Sequence, residues 1–519
     1  MSISKKILFI FLLFTTQLTL AQSPCVNGFA TQTINGVETS YPCNGYDLLS
    51  RIPISTLATT LGNEEGSDLW GWTDPLDGKE YAIIGTTNST AFVDISDPIN
   101  PVFLGRIETA NGNTSFWRDI KVYNNHAYIV ADGVGSHGMQ IFDLTTLRSG
   151  VNDDLTFTNS STDGNVKVFT GDNGINIGSC HNIVINESEG IAYLVGCGGA
   201  ASGGPVFVDI TTPLSPTIVG SYSGKGYTHD AQVITYNGTD NNVTSPTVIG
   251  VSSYIGREIL LASNGGSNDR VVLLDVTDKN NPQFISEITY PNPGYAHQGW
   301  FTDDHRYFIF GDETDEQNFG FGTRTFVFDM LDLDNPVLSA TYEASIAAID
   351  HNGYVKDDTF YLANYRAGMR VLDIPTLISA NNSNSETGYF DTYPASNSAN
   401  FNGAWSIYPY FESGNIIISD IERGLFVVRA SNNPLSTKDF NLDSKFSLVP
   451  NPTKTNSKLT ASKGQTITSV EVYNVIGKKL FSKNNINQDS IVLPTTHLSN
   501  GLYLVKINNT TTKKLVINK

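Results

Sequence analysis

Several features that assign a protein quickly are missing from this chain. There is no glycine-rich phosphate loop, no dinucleotide fingerprint and no serine elbow, so the nucleotide-dependent and hydrolase classes that declare themselves by motif are set aside. The Gly198-Gly199 and Gly203-Gly204 pairs read as turns. Helical periodicity is almost lacking, which excludes helix bundles and alternating α/β architectures. Basic residues are in deficit, with 32 Lys and Arg against 51 Asp and Glu and a net charge of −19. That balance disfavours nucleic acid and anionic membranes as partners. The apolar run at residues 7–14 is too short to be a stable membrane anchor, so no transmembrane anchor is expected. Cysteines number only four, at positions 25, 43, 180 and 197.

A repeat is present instead. Between Ser67 and Arg429 a polar residue opens one strand, an apolar strand follows, and a third apolar strand ends in Asp. Those ends are Asp94, Asp143, Asp209, Asp275, Asp329, Asp373 and, degenerate, Arg429, spaced 44 to 66 residues apart. Repeats of this length made of short strands are the signature of propeller blades. A fourth strand is led by proline at Pro101, Pro216, Pro282 and Pro336, where a residue without an N–H is tolerated. The seventh repeat stops after its third strand. Residues 48–52, Leu-Leu-Ser-Arg-Ile, resemble the fourth strand at 103–107, Phe-Leu-Gly-Arg-Ile. The N-terminal segment 48–54 is therefore expected to complete the last blade and close the ring. The predicted fold is all-β: a seven-bladed β-propeller over residues 46–430, followed by a small C-terminal β-sandwich.

Residues 1–21 read as a secretory signal peptide, with Lys5 and Lys6 ahead of the apolar run and Thr19-Leu20-Ala21 as the cleavage site. Gln22 stands where a lipoprotein would need Cys. Export permits disulfides. Cys25 and Cys43 are expected to pair in an N-terminal disulfide loop, residues 22–45, and Cys180 with Cys197 is the second candidate pair. A linker at 431–443 precedes a tail, residues 444–519, of opposite charge. The tail holds 11 Lys, one Glu and one Asp, a net +9, which leaves −28 for the rest. Charge asymmetry of this size marks separate modules.

Aligning the repeats at their strand openings gives a polar column: Asp68, Arg118, His181, His229, His297, His351 and Asn402. The next column contains Asp119 and Asp230. Four of the eight histidines fall in one column from consecutive repeats. The innermost strands of a propeller carry such a column around the channel mouth, so Asp68, Arg118, Asp119, Asp230, Asp350 and Asn402 are candidate ligand residues there. Two meanings of the histidines stay open. Either His181, His229, His297 and His351 converge on a transition metal with Asp230 or Asp350 beside them, or each holds its blade to the next by hydrogen bonds. Asp132, Asp312 and Asp420 end second strands and form another polar set. Asp312, Glu313, Asp315 and Glu316 lie within five residues, a density of carboxylate that suits calcium or a solvated acidic turn. Trp70, Trp72, Trp117, Trp300 and Trp405 recur near strand openings, where core packing competes with stacking on a ligand.

The tail, with Pro450-Asn451-Pro452, Gly477-Lys478-Lys479, Gly501-Leu502-Tyr503-Leu504-Val505-Lys506 and Lys513-Lys514-Leu515-Val516-Ile517, resembles the type A C-terminal sorting domain of the type IX secretion system of Bacteroidetes. The resemblance implies recognition by that machinery and a final location at the cell surface or outside the cell. In the body, Phe116-Trp117-Arg118-Asp119-Ile120-Lys121-Val122, Cys180-His181-Asn182-Ile183, Asp350-His351-Asn352 and Ala363-Asn364-Tyr365-Arg366-Ala367-Gly368-Met369-Arg370 resemble the choice-of-anchor B family, built of LVIVD repeats. That resemblance implies an exported surface propeller and supplies no activity. The reading placed first is a binding module for a glycan, peptide or protein. A metal-dependent enzyme using the histidines and a structural surface protein are the alternatives, so enzymatic activity and the identity of any cofactor, transition metal or calcium, stay open.

Overall fold

A computed structural model of the protein describes residues 22–34, 36–59, 62–149, 155–157, 166–266, 269–431, 446–461, 466–474, 478–496, 498–508 and 511–519. The proposed signal peptide and all but the first residue of the proposed linker lie outside them. The chain divides into two compact units, Met1–Asn433 and Pro434–Lys519.

The first unit is all-β and holds seven sheets of four to six strands. Their opening strands are Gly66–Thr73, Arg118–Tyr123, Asn182–Asn186, Asp230–Thr235, Ala296–Phe301, Gly353–Lys356 and Ala404–Tyr408. Each opening strand contacts the next, and Ala404–Tyr408 contacts Gly66–Thr73, so the series returns to its start.

The sequence explains this packing. Residues alternate between the two faces of a strand. In Glu258–Asn264, Leu260 and Ala262 pack toward the third sheet while Ile259 and Leu261 pack toward the fifth. Both faces are buried, so the strands read as nearly unbroken apolar runs. Seven apolar clusters result, one between each pair of neighbouring sheets. The cluster joining the seventh sheet to the first includes Leu49, Ile417 and Val427 with Leu69, Ile84 and Val93.

Tyr46–Ile52 is the fourth strand of the seventh sheet, pairing antiparallel with Gly424–Ala430 from Tyr46↔Ala430 to Ile52↔Leu425. Its register shifts between Leu48 and Ser50, skipping Leu49. The first sheet skips Leu104 at the equivalent place. The N-terminal strand thus reproduces the bulge of an internal fourth strand.

Two elements differ from expectation. The segment read as a disulfide loop contains a hairpin, Phe29–Ile34 with Val37–Asn44, added to the edge of the sixth sheet through Cys43↔Phe390. Ala30, Tyr41 and Cys43 are buried against that sheet, which supplies the reason for strand over loop. Leu155–Phe157 also adds to the first sheet, in parallel. Both disulfides are present, Cys25–Cys43 and Cys180–Cys197. Closing loops of this length stabilises by about 3 kcal/mol each in the chain-entropy account.

The second unit has a three-stranded sheet, Phe446–Val449, Asn456–Ala461 and Ser490–Pro494, and a four-stranded one, Lys479–Gln488, Ile467–Asn474, Gly501–Ile507 and Thr511–Ile517. Leu459 and Leu493 of the first share one core with Val472, Val505 and Leu515 of the second. Among the described residues no helix is long and apolar enough to cross a membrane.

Candidate functional site

At the start of the opening strands the four histidines lie ring against ring. Centroid separations are 4.3 Å for His181–His229, 4.5 Å for His229–His297 and 4.2 Å for His297–His351. They line a cavity of about 500 Å³ together with Asp132 and Glu313.

Local backbone irregularity delivers these side chains. In the fifth sheet the register shifts between Ala296 and Gln298, which takes His297 out of the paired ladder. The same shift between Ala404 and Ser406 frees Trp405 in the seventh sheet. Bulges of this kind re-aim side chains at sheet ends. At His181 the Cys180–Cys197 disulfide clasps the strand opening. Gly196 has φ +64°, and a Cβ there would lie 2.6 Å from the His181 Cβ, so only glycine fits.

Hydrogen bonds fix three rings. His181 Nδ1 lies 3.0 Å from Asp132 Oδ2. His229 Nδ1 donates to the His297 carbonyl at 3.3 Å, and His351 Nδ1 to the Trp405 carbonyl at 2.5 Å. Burial, then the neighbouring imidazoles, hold His229 and His297 well below the usual histidine range. Burial brings His351 down to about 3. These three rings are therefore neutral at ordinary pH. Burial pushes the Glu313 carboxyl up to about 7, against the hydrogen bond from Tyr365, whose hydroxyl donates to Oε1 at 2.8 Å. Glu313 is the carboxylate nearest His297 and His351, at 3.9 Å from His297 Nε2 and 3.6 Å from His351 Nε2. Among the described residues, His297, Glu313 and His351 form the one group of three metal-ligating side chains with donor atoms within 4.8 Å of one another.

The other candidates fall elsewhere. Asp68, Asp119 and Asp230 each accept the N–H of the following residue, at 2.6, 2.7 and 2.7 Å. Asp68 thus belongs to the second column, one residue out of the register read from sequence. The three carboxylates surround Lys121 in a layer behind the histidines, with Lys121 Nζ 2.5 Å from Asp119 Oδ1. Asp230 is consequently not a companion of the imidazoles. Asp350 is not one either: its charge is disfavoured by burial and then by Glu316 and Asp315. Arg118 is buried, donating to the Thr86 carbonyl at 2.6 Å and to the Thr109 hydroxyl. Asn402 accepts from Arg366 Nε at 2.9 Å and binds Glu422; the place in the column expected of Asn402 is held by Trp405, because His351 reaches the Trp405 carbonyl as His229 reaches that of His297.

The acidic run divides: Asp312, Asp315 and Glu316 stand close enough to buried Asp350 to disfavour its charge, while Glu313 faces the imidazoles. Asp312 accepts from the Tyr290 hydroxyl at 2.7 Å and from the Gly294 and Tyr295 N–H groups at 2.8 Å. Asp315 takes Arg324 Nε at 2.7 Å. Glu316 is buried and pushed up to about 10 by burial and by Asp315. Only Glu313 turns to the histidines. Of the calcium candidates Asp312, Glu313, Asp315 and Glu316, Glu313 alone belongs with the histidines, and Asp312 pins the strand end from which it projects.

Sequence reasoning also missed the aromatic wall of Tyr227, Tyr295, Tyr365 and Phe401. A signal for half of it exists, since Tyr227 and Tyr295 each stand two residues before a column histidine.

Residues 447–518 match the secretion system C-terminal sorting domain, and residues 78–109 match the LVIVD repeat. The latter span covers the second to fourth strands of the first sheet. The sorting domain marks the protein for type IX export to the cell surface or the extracellular space. No curated protein matches the chain. Among solved structures it is similar to the β-propeller domain of Myceliophteria thermophila Cps50 (Swd1), at 9% identity over 67% of this chain and 93% of that one, TM-score 0.40. It is also similar to a functionally unknown protein from Desulfotomaculum acetoxidans, at 10% identity over 67% and 92%, TM-score 0.41. A protein from Lactobacillus plantarum is similar at 10% identity over 83% and 99%, TM-score 0.39.

Proposed function

We propose that the seven sheets are the blades of a closed propeller, that the tail is a β-sandwich read by the type IX machinery, and that the propeller is a surface binding module whose ligand enters the histidine-floored cavity. The cavity carries this reading. It is large enough for a small organic group, at about 500 Å³, and joins aromatic rings to carboxylates. Trp117 and Phe401 are 44% and 43% exposed at its rim, where apolar surface is costly unless something covers it. Flat rings beside Asp132 and Glu313, which accept hydroxyl hydrogen bonds, suit a sugar. The resemblance to the choice-of-anchor B family supports surface display of such a body.

The test is a melting-temperature screen of the mature protein against mono- and oligosaccharides, followed by calorimetry. A Trp117→Ala, Phe401→Ala double variant is expected to keep the wild-type melting temperature within about 2 °C, since both side chains are exposed, and to lose at least about tenfold in affinity. Absence of any saccharide ligand, or undiminished binding by the variant, overturns the reading.

Export is tested separately. Removing residues 434–519 is expected to leave the body folded and confined to the periplasm, because the tail has its own core. Protease shaving of intact cells checks this. Normal surface exposure of the truncated protein would show that the tail is not the sorting signal.

A further inference from the structure

We propose that the floor of the cavity binds one divalent transition-metal ion through His297, Glu313 and His351. The donor atoms of these residues lie within 4.8 Å of one another, with His–Glu separations of 3.6 and 3.9 Å. Ligands at about 2.0–2.2 Å from an ion stand roughly 3–3.6 Å apart. The three side chains are thus within about 1–2 Å of a ligating arrangement.

The hydrogen bonding selects the same atoms. A carbonyl only accepts, so His351 must carry its proton on Nδ1 to bond the Trp405 oxygen. Its Nε2 then presents a lone pair toward Glu313. A ligating imidazole is commonly oriented by such a bond from its other nitrogen. Tyr365 donates to Glu313 Oε1 and so holds the carboxylate in place. His297 argues against a purely structural role. Its ring is 2% exposed, and its Nδ1 has no hydrogen-bond partner. Its Nε2 is too far from Glu313 for a hydrogen bond. A buried imidazole retained to join two sheets would have its nitrogens satisfied.

The donor set fixes the class of ion. Two imidazoles and one carboxylate suit zinc, cobalt or ferrous iron, whereas calcium and magnesium take oxygen ligands. Three protein ligands leave at least one coordination position free, and it faces the cavity. His229 and His181 stand outside the set. Their ring nitrogens do not fall within the group of donor atoms that His297, Glu313 and His351 form. The site shares the cavity of the proposed sugar-binding function but does not rest on that reading, because the ion is measured with no organic ligand present.

The test uses the full mature protein, stripped with EDTA and titrated calorimetrically with Zn²⁺ and Co²⁺. One equivalent is expected to bind with micromolar or tighter affinity. The zinc X-ray absorption spectrum should show two imidazoles at about 2.0–2.1 Å. Glu313→Gln and His297→Gln should each weaken binding at least about 100-fold, more than loss of an orienting partner costs. His181→Ala should retain affinity within about threefold, which separates the triad from a four-histidine site. If His297→Gln fails to fold, Glu313→Gln and the wild-type absorption spectrum decide the matter. No binding by the wild type, binding without imidazole scattering, or affinity unchanged in Glu313→Gln overturns the proposal.

Discussion

Excising Tyr46–Ile52 from the mature protein is expected to abolish cooperative unfolding of the whole first unit. The segment is the fourth strand of the seventh sheet, bonded along its length to Gly424–Ala430. Leu48 and Leu49 are fully buried, and Tyr46 and Ile52 nearly so. Burying four such side chains is worth roughly 1.5–3 kcal/mol each, which together rivals the 5–15 kcal/mol that is about the whole net stability of a folded domain. The effect reaches both neighbours, because Leu48 packs with Phe390 and Met369 of the sixth sheet while Leu49 packs with Leu69 and Val93 of the first. Excision also uncovers the edge of Gly424–Ala430, an open template for association. Far-ultraviolet melting and light scattering check this. A sharp transition at the wild-type temperature from a monomeric variant would show that the strand is an appendage and not the closure.

That strand was legible in the sequence because Leu-Leu-Ser-Arg-Ile copies Phe-Leu-Gly-Arg-Ile down to the residue, Leu49 or Leu104, that the bulge leaves unpaired. The apolar runs ending in Asp were legible for a related reason. Each third strand is buried on both faces and then turns sharply, and the Asp94, Asp209, Asp275 and Asp329 carboxylates accept backbone N–H groups two residues on. The histidine column survived because the period fixes it in four consecutive sheets. It failed at the two ends of the series. The register shifts between Gly66 and Leu69 and between Ala404 and Ser406 displace the pairing, and an apolar pattern does not record such an offset. Asp68 therefore lies one layer deeper than the apolar pattern implies, and Trp405 occupies the place that the pattern assigns to Asn402. Glu313 was hidden differently. It sits in a run of acids, and which of them turns to the imidazoles depends on Asp312 being captured by Tyr290, Gly294 and Tyr295, contacts from the connection at residues 289–295 that local sequence does not contain.

Replacing Lys121 with Met is expected to destabilise the first unit by about 3–5 kcal/mol near pH 8, the cost of leaving buried charge without its partner. Lys121 is 7% exposed and lies over the Trp70 ring at 4.6 Å. Around it stand Asp119, Asp68 and Asp230, which together hold its ammonium above the usual lysine range against the opposing effect of burial. Burial, followed by Asp119, pushes the Asp68 carboxyl up to about 7. Burial and Asp119 also push Asp230 well above the ordinary carboxylate range. A carboxyl that is harder to ionise in the folded state than in the unfolded chain makes folding less favourable as pH rises. For Asp68 that loss accrues between about pH 4, the unfolded value, and its folded value near 7. The ammonium offsets this repulsion in the wild type. Without it, protonation is the remaining relief, so the deficit of Lys121→Met should shrink steadily as pH is lowered from 8 toward 5. Paired denaturant titrations of the variant and wild type at these pH values measure it. A variant as stable as wild type at pH 8 would mean that the carboxylates behind the histidines are already neutral there. A deficit independent of pH would mean that Lys121 acts through packing on Trp70 and not through its charge.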